Sequence, residues 1–525
     1  MFSDFKFIVF WWLNIFGLSL LTLPFIFLLF RKFIDKGYIF SKIFSIALIT
    51  YFIFVLGVIH LLPFTVSSIF LICSLIVLAD VYLLFGKKML PEFKEIIKTH
   101  YRLFIIEELL FFLVLVAWSF VRGFAPSIEG LEKYMDWGFV NSALRSTYMP
   151  PADMWFAGEP INYYYFGHLM FALLTKLSGI SSAITYNLAI ATVCALAFVS
   201  AFSVSANLVF QFQKNLKNNH SKPFSIFLAG LISALLLTFG GNLHTVYKIT
   251  RLDMSQNKGR LVLTVPAIQK AADAYWYPDA TRFIGFDPDV KDKTIHEFPV
   301  YSFVVADLHG HMNDIPVVLF FIAVIFSLSL SVDKSLKKFS WTLILLPAFL
   351  LSVAYMTNAW DFAVYGLSFG VFYFIYGLIN GGLAKSFYYT FVHGFLIIIF
   401  WYLFSLPFSL NFIPMVEGLR WSDAHTPFYQ LFVLYGGFWL IIVPFIFLVL
   451  SNIFRRKNIS ASDIFVFSLF ITATILVIIP EIGYVKDIYI YEHRRANTMF
   501  KLVYEAFMMY ALVSGYVVTR LVNLK

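Results

Sequence analysis

An all-α, polytopic membrane helix bundle is the fold that this sequence predicts, on three observations. First, 60% of its 525 residues are apolar or aromatic and only 13% are charged, about half the roughly 25% usual in globular proteins. Second, long apolar runs recur along the whole chain. Third, lysine and arginine collect in every other connection. Too little polar material remains to cover a water-facing surface, which excludes a soluble enzyme, a disordered protein and a nucleic-acid binder. The formal charge of +9 fits the anionic inner face of a membrane. Cys73 and Cys194 both lie inside apolar runs, so neither a disulfide framework nor a thiolate zinc site is expected.

In hydrocarbon each backbone polar group needs an internal partner, so apolar runs of about 17 to 25 residues read as spanning helices. In order they are 7–30, 43–61, 65–85, 104–121, 183–210, 224–241, 315–331, 340–356, 360–379, 386–405, 428–450, 463–480 and 499–520, with a shorter amphipathic run at 162–179. About 13–14 spans are expected. The first is too long for a cleavable signal and should remain in the mature chain. Segments 31–42, 86–102, 211–223, 332–339, 380–386, 451–463 and 520–525 together hold 21 basic and 5 acidic residues, which assigns them to the cytoplasmic side. The opposite set, 122–161, 242–313, 357–361, 406–427 and 481–497, holds 15 basic and 19 acidic residues and should face outward. Between 161 and 211 the chain must cross an odd number of times, yet two candidate helices lie there. Either 162–179 is re-entrant or interfacial, or 183–210 is broken into two short crossings.

Polar chemistry concentrates on the outward side. In 123–168 the spacing of Tyr134, Trp137, Val140, Leu144 and Tyr148 predicts an amphipathic helix over 131–148, lying on the membrane surface and ended by Pro150 and Pro151. It carries Asp136 one turn after Glu132. Asp136 reads either as a solvated or capping carboxylate or as a catalytic one, and the same alternatives hold for Asp153 and Glu159. Tyr163, Tyr164 and Tyr165 suit an interfacial aromatic belt or a sugar-stacking surface. In 242–313, Asp307, His309 and His311 alternate, which in extended chain places three candidate divalent-metal ligands on one side, with Glu297 and His296 nearby. The bland alternative is a hydrogen-bonded polar loop. In 484–507, Arg494, Arg495 and Lys501 suit a lipid-linked phosphate, and Lys501 also forms an i,i+4 pair with Glu505. Glu107 and Glu108 inside a span, and Asn358, Trp360 and Asp361 in a connector, complete the polar inventory. Walker, Rossmann, HExxH and G-x-S-x-G patterns are absent from the sequence.

The stretches GLEKYMDWGFVNSALRSTYMPPADMWFAGEPINYYYFGH, HEFPVYSFVVADLHGHM, TNAWDF and EHRRANTMFKLVYEAF resemble the signature segments of an uncharacterised family of polytopic membrane proteins named for its three consecutive tyrosines. The resemblance covers residues 104 to 520. That family is grouped with the GT-C membrane glycosyltransferases, whose first outward loop carries membrane-parallel helices and an essential acidic residue. The resemblance implies a division into 1–103, extra N-terminal helices; 104–331, a GT-C-like core with outward loops 122–161 and 242–313; and 332–525, C-terminal helices that add loops to the site. It implies Asp136 as the catalytic carboxylate, although the usual adjacent acidic pair is replaced here by Asp136 and Trp137.

The expected function is inverting glycosyl transfer on the extracytoplasmic face of the cell membrane, from a polyprenyl-phosphate-linked sugar to an unidentified acceptor, without nucleic acid. Asp136 is the expected base. Glu132, Trp155, Tyr163, Tyr164, Tyr165, His168, Glu297, Arg495 and Lys501 are the expected donor or substrate contacts, and Asp307, His309 and His311 would hold a divalent metal ion or the donor phosphate. Two other functions compete: a transporter or flippase routed through Glu107, Glu108, Lys501 and Glu505, and a metal-dependent membrane hydrolase using Asp307, His309 and His311.

Overall fold

The computed structural model describes residues 2–215, 222–331, 340–455 and 457–522. The expected cytoplasmic segment 332–339 and parts of 211–223, 451–463 and 520–525 lie outside the described residues. The chain is almost wholly helical, and the first helices are α1 (Phe2–Leu20), α2 (Leu23–Leu29), α3 (Phe40–Val58), α4 (Val66–Val81) and α5 (Leu90–Gly123). The expected single span over 7–30 is bent by 61° between α1 and α2. The break falls where Pro24 opens α2, because proline donates no hydrogen bond and is tolerated only in a first turn.

Next come α6 (Lys133–Arg145), α7 (Phe166–Ser178), α8 (Ser182–Lys214), α9 (Pro223–Phe239), α10 (His244–Gln256) and α11 (Val265–Asp273). Helix α7 has 13 residues and is about 20 Å long at 1.5 Å per residue, too short for a hydrocarbon layer of about 30 Å. Helix α8 has 33 residues and is apolar enough to cross alone. One crossing therefore lies between 161 and 211, with α7 as the re-entrant or interfacial piece. Helix α7 closes on Gly179 in the left-handed region at φ 65°, a conformation that glycine adopts without a Cβ penalty.

The remaining helices are α12 (Pro299–Val305), α13 (Gly310–Asn313), α14 (Ile315–Ser331), α15 (Thr342–Thr357), α16 (Asp361–Gly381), α17 (Leu383–Ser409), α18 (Phe428–Phe454), α19 (Ala461–Ile482) and α20 (Ala496–Val522). Strands β1 (Leu419–Trp421) and β2 (Gly483–Val485) pair antiparallel and tie two of the expected outward connections together. Among the described residues, ten helical stretches are long and apolar enough to span, or up to twelve if each of two bent pairs counts as one; the 16-residue α15 falls short. The protein is thus a multi-pass membrane bundle. Helices α8, α14 and α20 form its centre: their apolar windows are almost wholly buried, whereas α4, α5 and α17 present most of theirs outward.

The connections segregate to two ends, in the grouping that their charge predicted. At the basic end, Arg31 pairs with Glu92 (2.9 Å), Ser327 Oγ donates to Leu29 O and Ser462 Oγ donates to Leu208 O. At the other end, Phe64 N donates to Thr147 O, Lys293 N to Glu492 O, and Glu417 N to Lys486 O. The N-terminal helices are packed into this body. Buried Lys42 meets Glu108 of α5 at 2.6 Å, and Tyr38 Oη and Trp12 Nε1 donate to the same carboxylate.

Candidate functional site

Helix α6 is shorter than the predicted 131–148 and turned from the expected face. The buried positions are Asp136, Phe139, Val140 and Ala143, while Tyr134 is exposed. The turn follows from Asp136, whose carboxylate is wholly buried and needs a partner there. Helix α7 supplies it: His168 Nε2 lies 2.9 Å from Asp136 Oδ1. His309, just before α13, brings Nδ1 to 3.5 Å from Asp136 Oδ1 and 2.9 Å from Glu132 Oε2. Neither carboxylate lies in line with that ring nitrogen, so these are charge contacts. On the other side of the ring, His309 Nε2 is 2.6 Å from Tyr163 Oη, and Tyr163 donates to Tyr164 Oη at 2.8 Å.

The electrostatics follow from this packing. Burial opposes a charge on Asp136, but His168 and His309 overcome it and hold the carboxyl below the usual carboxylate range. Burial also opposes protonation of His309; Asp136 and Glu132 outweigh it and raise the imidazole well above 6.5. These carboxylates favour the protonated imidazole, whose Nε2–H faces Tyr163 Oη. The contact with His309 keeps Glu132 ionised below its ordinary value. Asp307 behaves oppositely: burial first, then the adjoining negative charge of Asp136, push it up to about 8. Burial would raise Tyr164, yet Lys501 and His309 draw it down. Lys501 Nζ stands 5.5 Å from the Tyr164 ring centre and 3.4 Å from Asn358 Oδ1.

Below this cluster the polar groups continue into the bundle. Asn358 Nδ2 donates to Asp361 Oδ2 at 2.8 Å, buried Asp314 adjoins Asp361, and Tyr365 Oη donates to Glu505 Oε2. The expected Lys501–Glu505 pair is not among the ion pairs between described residues; Glu505 takes Tyr365 instead. Glu107 and Glu108 are not part of this group. They sit toward the basic end, Glu108 with Lys42 and Glu107 against Asp35.

Of the alternating Asp307, His309 and His311, the two imidazoles stay close, with ring centres 5.5 Å apart. Backbone is extended through His309 and α13 begins at Gly310; His311 Nε2 lies 3.2 Å from Ser302 Oγ and its ring also packs on Phe500 and Tyr504. Among the described residues no group of three or more His, Cys, Asp or Glu is placed to hold a metal ion.

Glu297 lies beside the cluster, within electrostatic reach of Lys501 and His309, and pairs with Arg282 at 2.9 Å. Arg282, one-third exposed, escaped the sequence reading because its partner is 15 residues away in a loop of no regular period. Tyr165 packs on Phe54 and Phe408, in the core. Trp155 is exposed, in a turn that Asp153 closes by accepting from Trp155 N and Phe156 N. Arg495 is not brought into the cluster either. Its buried guanidinium donates to Asp292, Glu481, Thr426 Oγ1 and Pro480 O, leaving no donor group for a ligand.

One family model, described as Uncharacterized membrane protein (DUF2298), matches residues 48–458 and 444–510. The match begins at residue 48, within α3. No curated protein and no solved structure matches the chain.

Proposed function

Because the chain belongs to this family of uncharacterized membrane proteins, which assigns no chemistry, we propose its function from the cluster itself: transfer of a sugar from a polyprenyl-phosphate-linked donor to an acceptor hydroxyl. The observation that carries the reading is the convergence of Glu132, Asp136, His168, Asp307, His309 and Lys501, from four distant stretches, at the bundle end that charge assigns to the outside. The GT-C resemblance of the same segments supplies the reaction class, and fold-level analogy alone would not.

The burial of Asp136 reassigns the roles. A carboxylate with no exposed surface, held between two histidines, is a poor partner for an acceptor hydroxyl, and it serves to fix His309 and to set Asp307. Asp307, half-buried and titrating near 8, takes the hydroxyl proton; a base works best with its pKa near the working pH. The acceptor oxygen then bonds to the anomeric carbon as the bond to the phosphate oxygen breaks, and the phosphate leaves with the electron pair. His309, Lys501 and Arg282 supply positive charge toward it. No metal ion enters this scheme.

The test is release of free prenyl phosphate from a panel of prenyl-phosphate sugars by the protein in liposomes, followed by mass spectrometry. Asp307→Asn should abolish release while leaving folding intact. Full release by that variant removes the base assignment, and no release from any donor by the native protein removes the reaction class. A second reading, translocation of the lipid-linked sugar, draws on Asp314, Asp361, Glu505 and Lys501 buried among the spanning helices, where ionisable groups commonly mark a pathway. Movement of intact donor across the bilayer without phosphate release would favour it.

A further inference from the structure

The long connection between α9 and α12 opens with a hairpin whose outer face has no counterpart in the bundle. Helix α9 ends at Phe239, and α10 leaves it at 64° after a short break, so α10 starts where a spanning helix reaches the bilayer surface. The base of the hairpin is closed by Thr245 Oγ1 against Tyr275 Oη at 3.1 Å and by Lys248 with Asp287 at 3.0 Å, and Leu243 N donates to Val433 O of α18 at 2.9 Å. Its tip is held by Asp253, a buried carboxylate that accepts from Val262 N at 2.8 Å and Asn257 Nδ2 at 2.9 Å. That bond fixes the turn so that Leu261, Val262 and Leu263 point outward, about half exposed, and Val265 at the start of α11 follows at 81% exposure.

Four such side chains, with Ile268 one turn later, form a contiguous apolar patch of a kind that soluble surfaces avoid. Basic residues frame it: Lys258, Arg260 and Lys270, against the single internal carboxylate Asp253 in 248–270. An aliphatic patch rimmed by lysine and arginine matches an interfacial segment, whose apolar side enters the headgroup boundary while its charges meet lipid phosphates. We propose that the α10–α11 hairpin is a membrane-surface anchor, seated on the bilayer beside the end of α9 through Leu261, Val262, Leu263 and Val265, with Lys258, Arg260 and Lys270 on anionic headgroups. This is independent of the reaction proposed above.

The test uses the full chain in phosphatidylcholine vesicles with and without phosphatidylglycerol. In a background carrying Cys73→Ala and Cys194→Ala, Val265→Cys is labelled with the environment-sensitive fluorophore NBD, and Asp289→Cys, on an exposed carboxylate outside the hairpin, serves as the aqueous control. At 265 the emission should move to shorter wavelength, be quenched by lipid-borne doxyl groups and be shielded from iodide; at 289 the reverse should hold. Combining Lys258→Glu, Arg260→Glu and Lys270→Glu should weaken the doxyl quenching at 265 in the anionic vesicles. Iodide quenching at 265 without doxyl quenching would overturn the proposal. So would shielding that disappears when the protein is diluted among vesicles, since that would mark a second copy as the occupant.

Discussion

Replacing Asp136 by Asn removes one negative charge from a site with no access to water. Its carboxylate lies 2.9 Å from His168 Nε2 and 3.5 Å from His309 Nδ1, and it is fully buried. Breaking a buried ion pair by removing one partner costs about 3–5 kcal/mol, because the other charge is left uncompensated. Asn keeps the shape and one acceptor oxygen, and a neutral hydrogen bond restores about 1 kcal/mol. Glu132 remains beside His309, but its side chain is 56% exposed and a solvent-screened pair contributes little. The expected loss is about 2–4 kcal/mol. Unfolding by SDS titration in mixed micelles measures it, and a cycle with His168→Gln separates the pair from its surroundings. A loss below about 1 kcal/mol, or effects of the two substitutions that simply add, would refute the claim that a paired, ionised Asp136 organises the cluster.

Other consequences are open to measurement. Since Asp307 titrates near 8 and must be ionised to accept a proton, transfer should rise with pH up to about 8. In Asp136→Asn any residual activity should rise at lower pH, because a charge that raises Asp307 is gone; an unmoved pH profile would contradict the coupling. The stability lost in His309→Gln should be constant below pH 6.5, where His309 is protonated folded or unfolded, and should shrink as pH rises through its elevated folded value; SDS titrations across pH read this directly. Arg495→Ala leaves Asp292 and Glu481 without their guanidinium and should cost about 2–4 kcal/mol, seen as faster proteolysis in 283–295 and 420–427. Lys42→Met should destabilise by about 3–5 kcal/mol by stranding Glu108, and Glu108→Gln added to it should recover most of that loss; equal damage in the double variant would argue against the pair.

The membrane class and the two-ended sorting of connections were legible in the sequence, since both follow from transfer free energy and charge, which need no tertiary information. Much of the cluster was legible too: Glu132, Asp136, His168 and His309 stand out as polar groups in apolar surroundings. What failed was geometry set by contacts far along the chain. The alternation of Asp307, His309 and His311 suggested extended chain throughout, but a helical turn begins at Gly310 and brings His311 Nε2 to Ser302. The apolar spacing of α6 suggested a lipid-facing stripe through Tyr134, whereas the demand of Asp136 for His168 turns that helix. Arg495 looked like a free cation because its partners, Asp292 and Thr426, lie 203 and 69 residues away. Arg282 drew no notice because its partner Glu297 lies in the same irregular loop, where no period links the two.

The position of Arg495 bears on how the upper loops can move. One guanidinium holds Asp292 in the connection after α11, Thr426 before α18 and Glu481 at the end of α19, while β1 and β2 stitch two of those pieces side by side. Pieces bolted at a common point cannot swing separately, and any displacement of this roof drags all three strands of chain along with the head of α20. The stretch 123–165 on the other side of the cluster is not among the pieces that Arg495 holds, and it can move without them.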